Sequence, residues 1–162
     1  MKHTNIIVLF CIIIVVLAGM AVRKRMSRRN RRKTRRGGRE PFQTQQKGIL
    51  GTAITACSNP PEKTTGYYRN GFCSTGPTDT GTHVVCAVVD QEFLDFTRSK
   101  GNDLITPQHS FPGLVPGDKW CLCALRWKEA YTEGKAPKII PASTGEAATQ
   151  YISKEILMNH TV

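Results

Sequence analysis

A run of apolar residues, 6–22, is followed at once by a dense run of basic ones. The apolar run has 17 residues without a charged or strongly polar side chain. As a helix it would extend about 26 Å, slightly less than the ~30 Å hydrocarbon core of a bilayer. Flanking Arg and Lys side chains can reach the interface and make up the difference. The pattern predicts a single transmembrane helix after a short N-terminal tail, residues 1–5.

The positive charge is confined to one segment. Residues 23–39 hold 11 of the 23 Lys and Arg residues, whereas the chain from Pro41 onward carries 11 basic and 11 acidic residues. Residues 23–40 have no aromatic and almost no apolar side chain, so they are predicted to form a disordered linker. The domain that follows, residues 41–162, is electrically neutral. The net charge of +11 therefore does not indicate that the domain binds nucleic acid.

The distribution of basic residues predicts the topology. Lys and Arg beside a membrane span stay on the cytoplasmic side, and here only Lys2 precedes the apolar run. We expect the N-terminus outside and the domain in the cytoplasm. The alternatives are a reversed topology and a cleaved signal peptide, with Gly19-Met20-Ala21 as the cleavage site. Asn159-His160-Thr161 could be glycosylated only if it reached the lumen.

The basic linker has competing partners. Its first residues follow the predicted helix within the ~8–10 Å screening length of the membrane surface, so anionic lipid headgroups are the expected contact. The residues expected at the headgroups are Arg23, Lys24, Arg25, Arg28 and Arg29. Nucleic acid or another polyanion is the alternative partner of residues 23–39, although no stacking aromatic residue accompanies them. A targeting or sorting signal is the third interpretation.

Strand and helix signals are mixed along the domain, without an internal repeat. Residues 83–89 are predicted to form a buried strand, and Asp90 is a good N-cap for a helix that stops at Gly101. A second helix is predicted for residues 119–133, because apolar residues recur there at spacings of three and four. These two predicted helices and the strand would supply most of the core.

Shorter elements complete the predicted domain. Asn70-Gly71 between aromatic residues is a hairpin signal. Residues 138–142 predict a short edge strand, and residues 154–159 a last short helix. The mixture predicts an α+β fold, with a small, mostly antiparallel sheet packed with two or three helices.

The domain contains five cysteines, an odd number that cannot pair completely within one domain: Cys57, Cys73, Cys86, Cys121 and Cys123. We expect reduced, mostly buried thiols. Within a helix, Cys121 and Cys123 would lie about 200° apart and could not share a metal. On a strand, both would face the same side, and a metal or redox site would become plausible. They are therefore weak metal candidates.

Two kinds of chemistry can be built from these residue types. A thiol nucleophile, Cys73 or Cys86, would need His83 or His109 as base and Asp103 to orient that base. A ligand pocket is expected at the loops 74–79 and 101–107, because polar loops beside a rigid scaffold are the usual location of function. The pocket candidates are Asn102, Asp103, Thr106, Asp79 and Arg126. The structural alternatives are a solvent-facing position at a strand end for His83, core burial for Cys86, and turn formation for Asp103 and the two loops.

A series of short motifs runs through the domain: Gly66-Tyr67-Tyr68-Arg69-Asn70-Gly71, His83-Val84-Val85-Cys86-Ala87, Gly101-Asn102-Asp103-Leu104, Phe111-Pro112-Gly113-Leu114 and Trp120-Cys121-Leu122-Cys123. With these motifs, residues 48–162 resemble an uncharacterised bacterial family, domain-of-unknown-function family 2237. The resemblance implies a small domain and brings no established activity, substrate or cofactor. Members of that family tend to have Thr-His where this chain has Thr144-Gly145, and they lack the anchor and the basic linker.

The sequence identifies neither an activity nor a cofactor. The favoured interpretation is a membrane-anchored protein whose domain is a binding or interaction module for an unknown small-molecule ligand. One alternative is an enzyme that depends on a cysteine or a metal. The other is a structural membrane protein, for example a viral one, whose basic arm contacts nucleic acid.

Overall fold

The computed structural model describes residues 46–162, which contain a three-stranded sheet and three α-helices. The predicted membrane helix, residues 6–22, and the predicted linker, residues 23–40, lie outside this part of the chain. No helix within residues 46–162 is long and apolar enough to cross a membrane. The strands are β1 (His83–Val88), β2 (Lys119–Cys123) and β3 (Lys138–Ile139), and the helices are α1 (Gln91–Ser99), α2 (Ala124–Thr132) and α3 (Lys154–Met158).

Strand β1 is central in the sheet, whose order is β2-β1-β3, and both of its neighbours run antiparallel to it. The register with β2 shifts between His83 and Val85. Four consecutive residues of β1, from Val84 to Ala87, are fully buried. A strand that has neighbours on both sides and is covered on both faces has a continuous run of apolar residues in its sequence. The small antiparallel sheet with helices confirms the predicted α+β class.

Helix α1 begins and ends as its sequence predicts. The Asp90 side chain accepts a hydrogen bond from the amide of Phe93 at 2.8 Å, and Gly101, with φ of 80°, follows the last turn. Phe93 and Leu94 point into the core and are at most 1% exposed. Full burial of two such side chains contributes several kcal/mol, at about 1.5–3 kcal/mol each.

The helix predicted for residues 119–133 is wrong in its first part. Lys119–Cys123 is strand β2, and helix α2 starts only at Ala124. Trp120, Cys121 and Leu122 are all buried, so no alternation distinguished the strand from a helix. Asp118, directly before the predicted helix, caps no helix there and accepts hydrogen bonds from the amide of Val115 and from Lys63.

The hairpin predicted at Asn70-Gly71 is also wrong, because residues 66–71 form consecutive turns without flanking strands. The amide of Arg69 bonds to the Gly66 carbonyl, and the left-handed positions include Arg69 and Gly71 but not Asn70. The other short elements agree better with the sequence. Strand β3 lies at the edge of the sheet, and the Ser153 side chain caps helix α3.

The cysteines depart most from expectation. Cys57 is joined to Cys86, and Cys73 to Cys121, by two disulfides, so the expectation of reduced thiols is wrong for these four residues. Cys86 and Cys121 are direct partners in the β1–β2 ladder, yet each bonds to the segment that precedes the sheet. Cys123 is the one free cysteine among residues 46–162. The odd cysteine of the sequence is thus left over after two pairs form.

Candidate functional site

A cleft of about 350 Å³ opens beside the paired strands β1 and β2. Its walls come from the turns before β1, from the first residue of β1, from the loop after α1 and from β2. The residues that line it are Gly66, Tyr67, Arg69, His83, Leu104, Phe111, Trp120 and Cys121. The volume lies within the usual range of small-molecule sites, roughly 300–1,000 Å³.

A buried carboxylate holds the histidine of the cleft. Asp79 has a fully buried side chain, and its Oδ1 lies 2.6 Å from Nδ1 of His83. Its Oδ2 accepts hydrogen bonds from the His83 amide at 2.8 Å and from the Thr75 hydroxyl at 3.0 Å. An ionised carboxylate can only accept, so the proton of a neutral His83 ring lies on Nδ1. Nε2 then carries the free lone pair, and the ring has one fixed orientation.

The polar wall of the cleft also contains Tyr67 and Arg69. The Tyr67 ring is stacked with the His83 ring, with centroids 6.0 Å apart, and its hydroxyl donates to the Thr78 carbonyl. The Arg69 guanidinium lies 4.9 Å from the centre of the Trp120 ring. Within residues 46–162 no carboxylate forms a salt bridge with Arg69. Its charge is therefore available to an anionic ligand.

The part of the lining beside Arg69 is apolar. Phe111 and Trp120 meet edge to face, with ring centroids 5.4 Å apart. Leu104 lies beside them, and its carbonyl accepts a hydrogen bond from the amide of Leu114, which fixes the loop after α1. A rigid aromatic surface of this kind suits a planar apolar group of a ligand.

The loop that carries Arg69 requires a glycine at its start. Gly66 has φ of 92°, and a Cβ there would lie 2.4 Å from the Phe72 carbonyl oxygen. An L-residue would meet both an unfavourable φ and a backbone clash. Arg69 itself has φ of 53°, a left-handed conformation that non-glycine residues adopt infrequently and often at functional sites.

The cysteines proposed as nucleophiles have no free thiol. Cys73 and Cys86 are each fully buried in a disulfide, so neither provides a thiolate while that disulfide is intact. His109 is exposed in the turn of residues 108–111, with φ of 44°, and does not line the cleft. Of the two histidines considered as base, only His83 lies at the cleft.

The Asp103 side chain accepts hydrogen bonds within its own loop. Its Oδ1 accepts from the amides of Ile105 and Thr106, and its Oδ2 accepts from the Thr106 hydroxyl at 2.8 Å. The hydrogen bonds from Thr106, then that from Ile105, and the nearby Arg98 hold the pKa of this carboxyl below its ordinary value. The histidine is oriented by Asp79 instead.

The remaining pocket candidates are also engaged elsewhere. Asn102 donates to the Thr97 hydroxyl at the end of α1, and Arg126 pairs with Glu129 one turn along α2. Neither residue, nor Thr106, lines the cleft. Of the pocket candidates, Asp79 is the one that contacts the site. It hydrogen-bonds to His83 and does not line the cleft itself.

The geometry of Cys121 and Cys123 is that of a strand. Cys121 lines the cleft and is bonded to Cys73, while Cys123 is the Cα partner of His83 in the ladder. The sulfur atoms of Cys57, Cys73 and Cys86 lie within 4.8 Å of one another. In the disulfide form these sulfurs offer no thiolate to a metal.

Six lining residues were not identified as site residues from the sequence: Gly66, Tyr67, Arg69, Leu104, Phe111 and Trp120. Residues 66–71 had been interpreted as a hairpin turn, and Trp120 as part of a helix core. The usable signal was Arg69 itself, a cation between aromatic residues in a turn-rich segment. Gly145 lies close to the backbone of a disulfide-bonded residue. A Cβ at this position would lie 2.8 Å from the Cys73 carbonyl oxygen.

The geometry accounts for most of the short motifs of the sequence, which lie at the cleft, the disulfides or the loop after α1. A family model described as "Uncharacterized protein conserved in bacteria" (DUF2237) matches residues 47–161, well over half of the chain. No curated protein matches the chain. The chain therefore belongs to the DUF2237 family of uncharacterized proteins conserved in bacteria.

Proposed function

We propose that the domain is a binding module for a small anionic ligand with a planar apolar part. One observation carries the proposal: the cleft brings together the Arg69 guanidinium, which forms no salt bridge within residues 46–162, an oriented imidazole, His83, and the aromatic rings of Phe111 and Trp120. A few convergent polar groups in a largely apolar concavity are what small-molecule sites share.

Each wall would contact a different part of the ligand. Arg69 offers a planar donor fork that suits a carboxylate or a phosphate. Nε2 of His83 would accept a hydrogen bond from a hydroxyl, thiol or amine of the ligand. The rings of Phe111 and Trp120 would cover the apolar part. Because Asp79 already orients His83, binding would require little reorganisation of that side chain.

The test is a binding titration of the full chain in detergent with a panel of aromatic carboxylates and aryl phosphates, read by calorimetry. Arg69→Ala should weaken the tightest binder by about 10- to 100-fold, the equivalent of a charged hydrogen bond of roughly 1.5–3 kcal/mol. Arg126→Ala is the matched control, since Arg126 is a half-exposed arginine away from the cleft. Equal affinities of the two variants would contradict the proposal.

The proposal places the module on a membrane tether. Residues 6–22 would span the bilayer, and the first basic residues after them would contact anionic headgroups, at about 1 kcal/mol each. Nucleic acid is the alternative partner of the linker. Binding of the full chain in detergent to short DNA, compared with its binding to anionic vesicles over a salt series, separates the two.

Two features bear on the side of the membrane. The 11 basic residues after the apolar run support the cytoplasmic side. Disulfides persist in oxidising compartments, so the two in this domain support the opposite side. We keep the cytoplasmic placement as the proposal, and we expect no glycan on Asn159 in a microsome translation assay. Asn159 is exposed and followed by His160-Thr161, so luminal placement would yield a glycosylated band.

A further inference from the structure

We propose that the Cys73–Cys121 disulfide is redox-active and exchanges with small anionic thiols that bind in the cleft. This inference rests on the proposed binding function and names the ligand class as thiols that carry a carboxylate. The observation behind it is that one sulfur-bearing residue, Cys121, shares the walls of a small-molecule cleft with a base and a cation.

The two disulfides differ in their access to the cleft. Cys121 lines the cleft, whereas neither Cys57 nor Cys86 is among its lining residues. Burial does not distinguish the two disulfides, because Cys73 and Cys86 are fully buried and Cys57 and Cys121 are each 2% exposed. Attack on a disulfide needs a route for the incoming thiolate to one sulfur. Of the four disulfide cysteines, only Cys121 lines the cleft, so the proposed route leads through the cleft to its sulfur.

The other cleft residues supply what such a reaction needs. A thiol reacts as its thiolate, and Nε2 of His83 is an acceptor for the thiol proton because Asp79 binds the other ring nitrogen. Arg69 would bind the carboxylate of the thiol and hold it in the cleft. The requirements of the reaction and the residues of the cleft thus agree.

The exchange proceeds in two balanced steps. First, the thiolate attacks Sγ of Cys121, an S–S bond forms to the small thiol, the Cys73–Cys121 bond breaks, and the electron pair leaves on Cys73. Cys73 takes up one proton, equal to the one that the incoming thiol gave up. Second, the thiolate of another small thiol attacks the small-thiol sulfur of the mixed disulfide, the S–S bond to Cys121 breaks, the small disulfide leaves, and Cys121 takes up the proton that the second thiol gave up. Two thiols are oxidised, and one protein disulfide is reduced by two electrons.

Matched serine variants of the full chain test the access of each sulfur. Both are made in a background of Cys11→Ser and Cys123→Ser, so that no other thiol reacts. Cys73→Ser leaves the Cys121 thiol, and Cys57→Ser leaves the Cys86 thiol. We expect Cys121 to react with dithionitrobenzoate, an anionic aromatic disulfide, at least about 10-fold faster than Cys86, since access limits exchange. Equal rates would overturn the inference.

A neutral reagent separates this inference from the proposed ligand class. Reaction of Cys121 with neutral dithiodipyridine, without preference for the anionic reagent, would contradict the ligand class and leave the exchange supported. Reaction with neither reagent would overturn the exchange, and the calorimetric titration would still report on the ligand.

His83→Gln should slow the reduction of Cys73–Cys121 by a carboxylated thiol several-fold, while His109→Gln, at an exposed turn away from the cleft, should not.

Unaltered cysteines provide a second measurement if a serine variant does not fold. The full chain is treated with a carboxylated thiol, free thiols are alkylated at intervals, and the peptides are identified by mass spectrometry. Cys73 and Cys121 should be alkylated before Cys57 and Cys86. Simultaneous loss of the two disulfides, or loss of Cys57–Cys86 first, would overturn the inference.

Discussion

Two loops that begin with a glycine, residues 66–71 and residues 101–107, use their polar side chains differently. In the second loop, the polar side chains of Asn102 and Asp103 are used up by hydrogen bonds to their own or the adjoining segment. In the first, Arg69 lies over Trp120 and forms no salt bridge within the described residues. A polar loop is a site candidate only when its side chains are not needed to build the loop itself.

The glycines at the start of the two loops provide the strongest test of this difference. Gly66→Ala should lower the free energy of unfolding by about 3 kcal/mol, because left-handed strain of about 1–2 kcal/mol adds to a clash with the Phe72 carbonyl. Gly101→Ala should cost only the strain, since nothing lies within 4 Å of the added Cβ. Urea unfolding of the full chain in detergent, followed by tryptophan fluorescence, measures both. Equal losses of unfolding free energy in the two variants would contradict the difference between the two loops.

A second test concerns the carboxylates of the two regions. Asp79→Asn should destabilise the fold by about 2 kcal/mol, because a buried acceptor of three hydrogen bonds gains a donor that faces other donors. The His83 ring should also lose its single tautomer, which nitrogen NMR shifts would show.

The control for Asp79→Asn is Asp95→Asn. Asp95 lies exposed on α1 and accepts one hydrogen bond, from Gln91, so the same change of charge should alter the stability by less than about 0.5 kcal/mol. A similar loss in both variants would show that charge, and not the hydrogen bonds to His83, is responsible.

The third and smallest test is the pH dependence of the loop of residues 101–107. The pKa of Asp103 is lowered from its ordinary value of 3.8 by its bonds from Thr106 and Ile105. A lowered folded-state pKa stabilises the fold above the ordinary pKa, and this contribution is lost as the pH falls through the folded-state value. The stability difference between the wild type and Asp103→Asn should be constant above about pH 5 and shrink at lower pH.

Unfolding midpoints at several pH values check this prediction. A difference between the wild type and Asp103→Asn that grows on acidification would contradict the assignment of these hydrogen bonds.

The sequence predicted what local chemistry determines. The Asp90 cap, the Gly101 stop, the buried strand β1 and the α+β class followed from caps, breakers and patterning. Strand β2 could not be separated from α2, because its central residues are buried on both faces and the apolar spacing fits either element.

The site was harder to predict, because it is assembled from distant segments. Asp79 and His83 are four residues apart, and both were named as candidates, but their pairing depends on how the turn of residues 76–79 folds. Trp120 reaches the cleft through the strand pairing of β2, and Arg69 through a left-handed turn. The disulfides were missed because an odd number of cysteines suggested reduced thiols, although two pairs and one single residue fit the same count.

The disulfides have a consequence for how this protein can vary. Residues 57 and 73 bracket the segment that carries Tyr67 and Arg69, and each end is fastened to a neighbouring strand. A stretch without helix or strand is thereby held at its two ends by covalent bonds, which limit its freedom as a short closed loop. Substitutions between those anchors can reshape the wall of the cleft and leave the register of the sheet untouched.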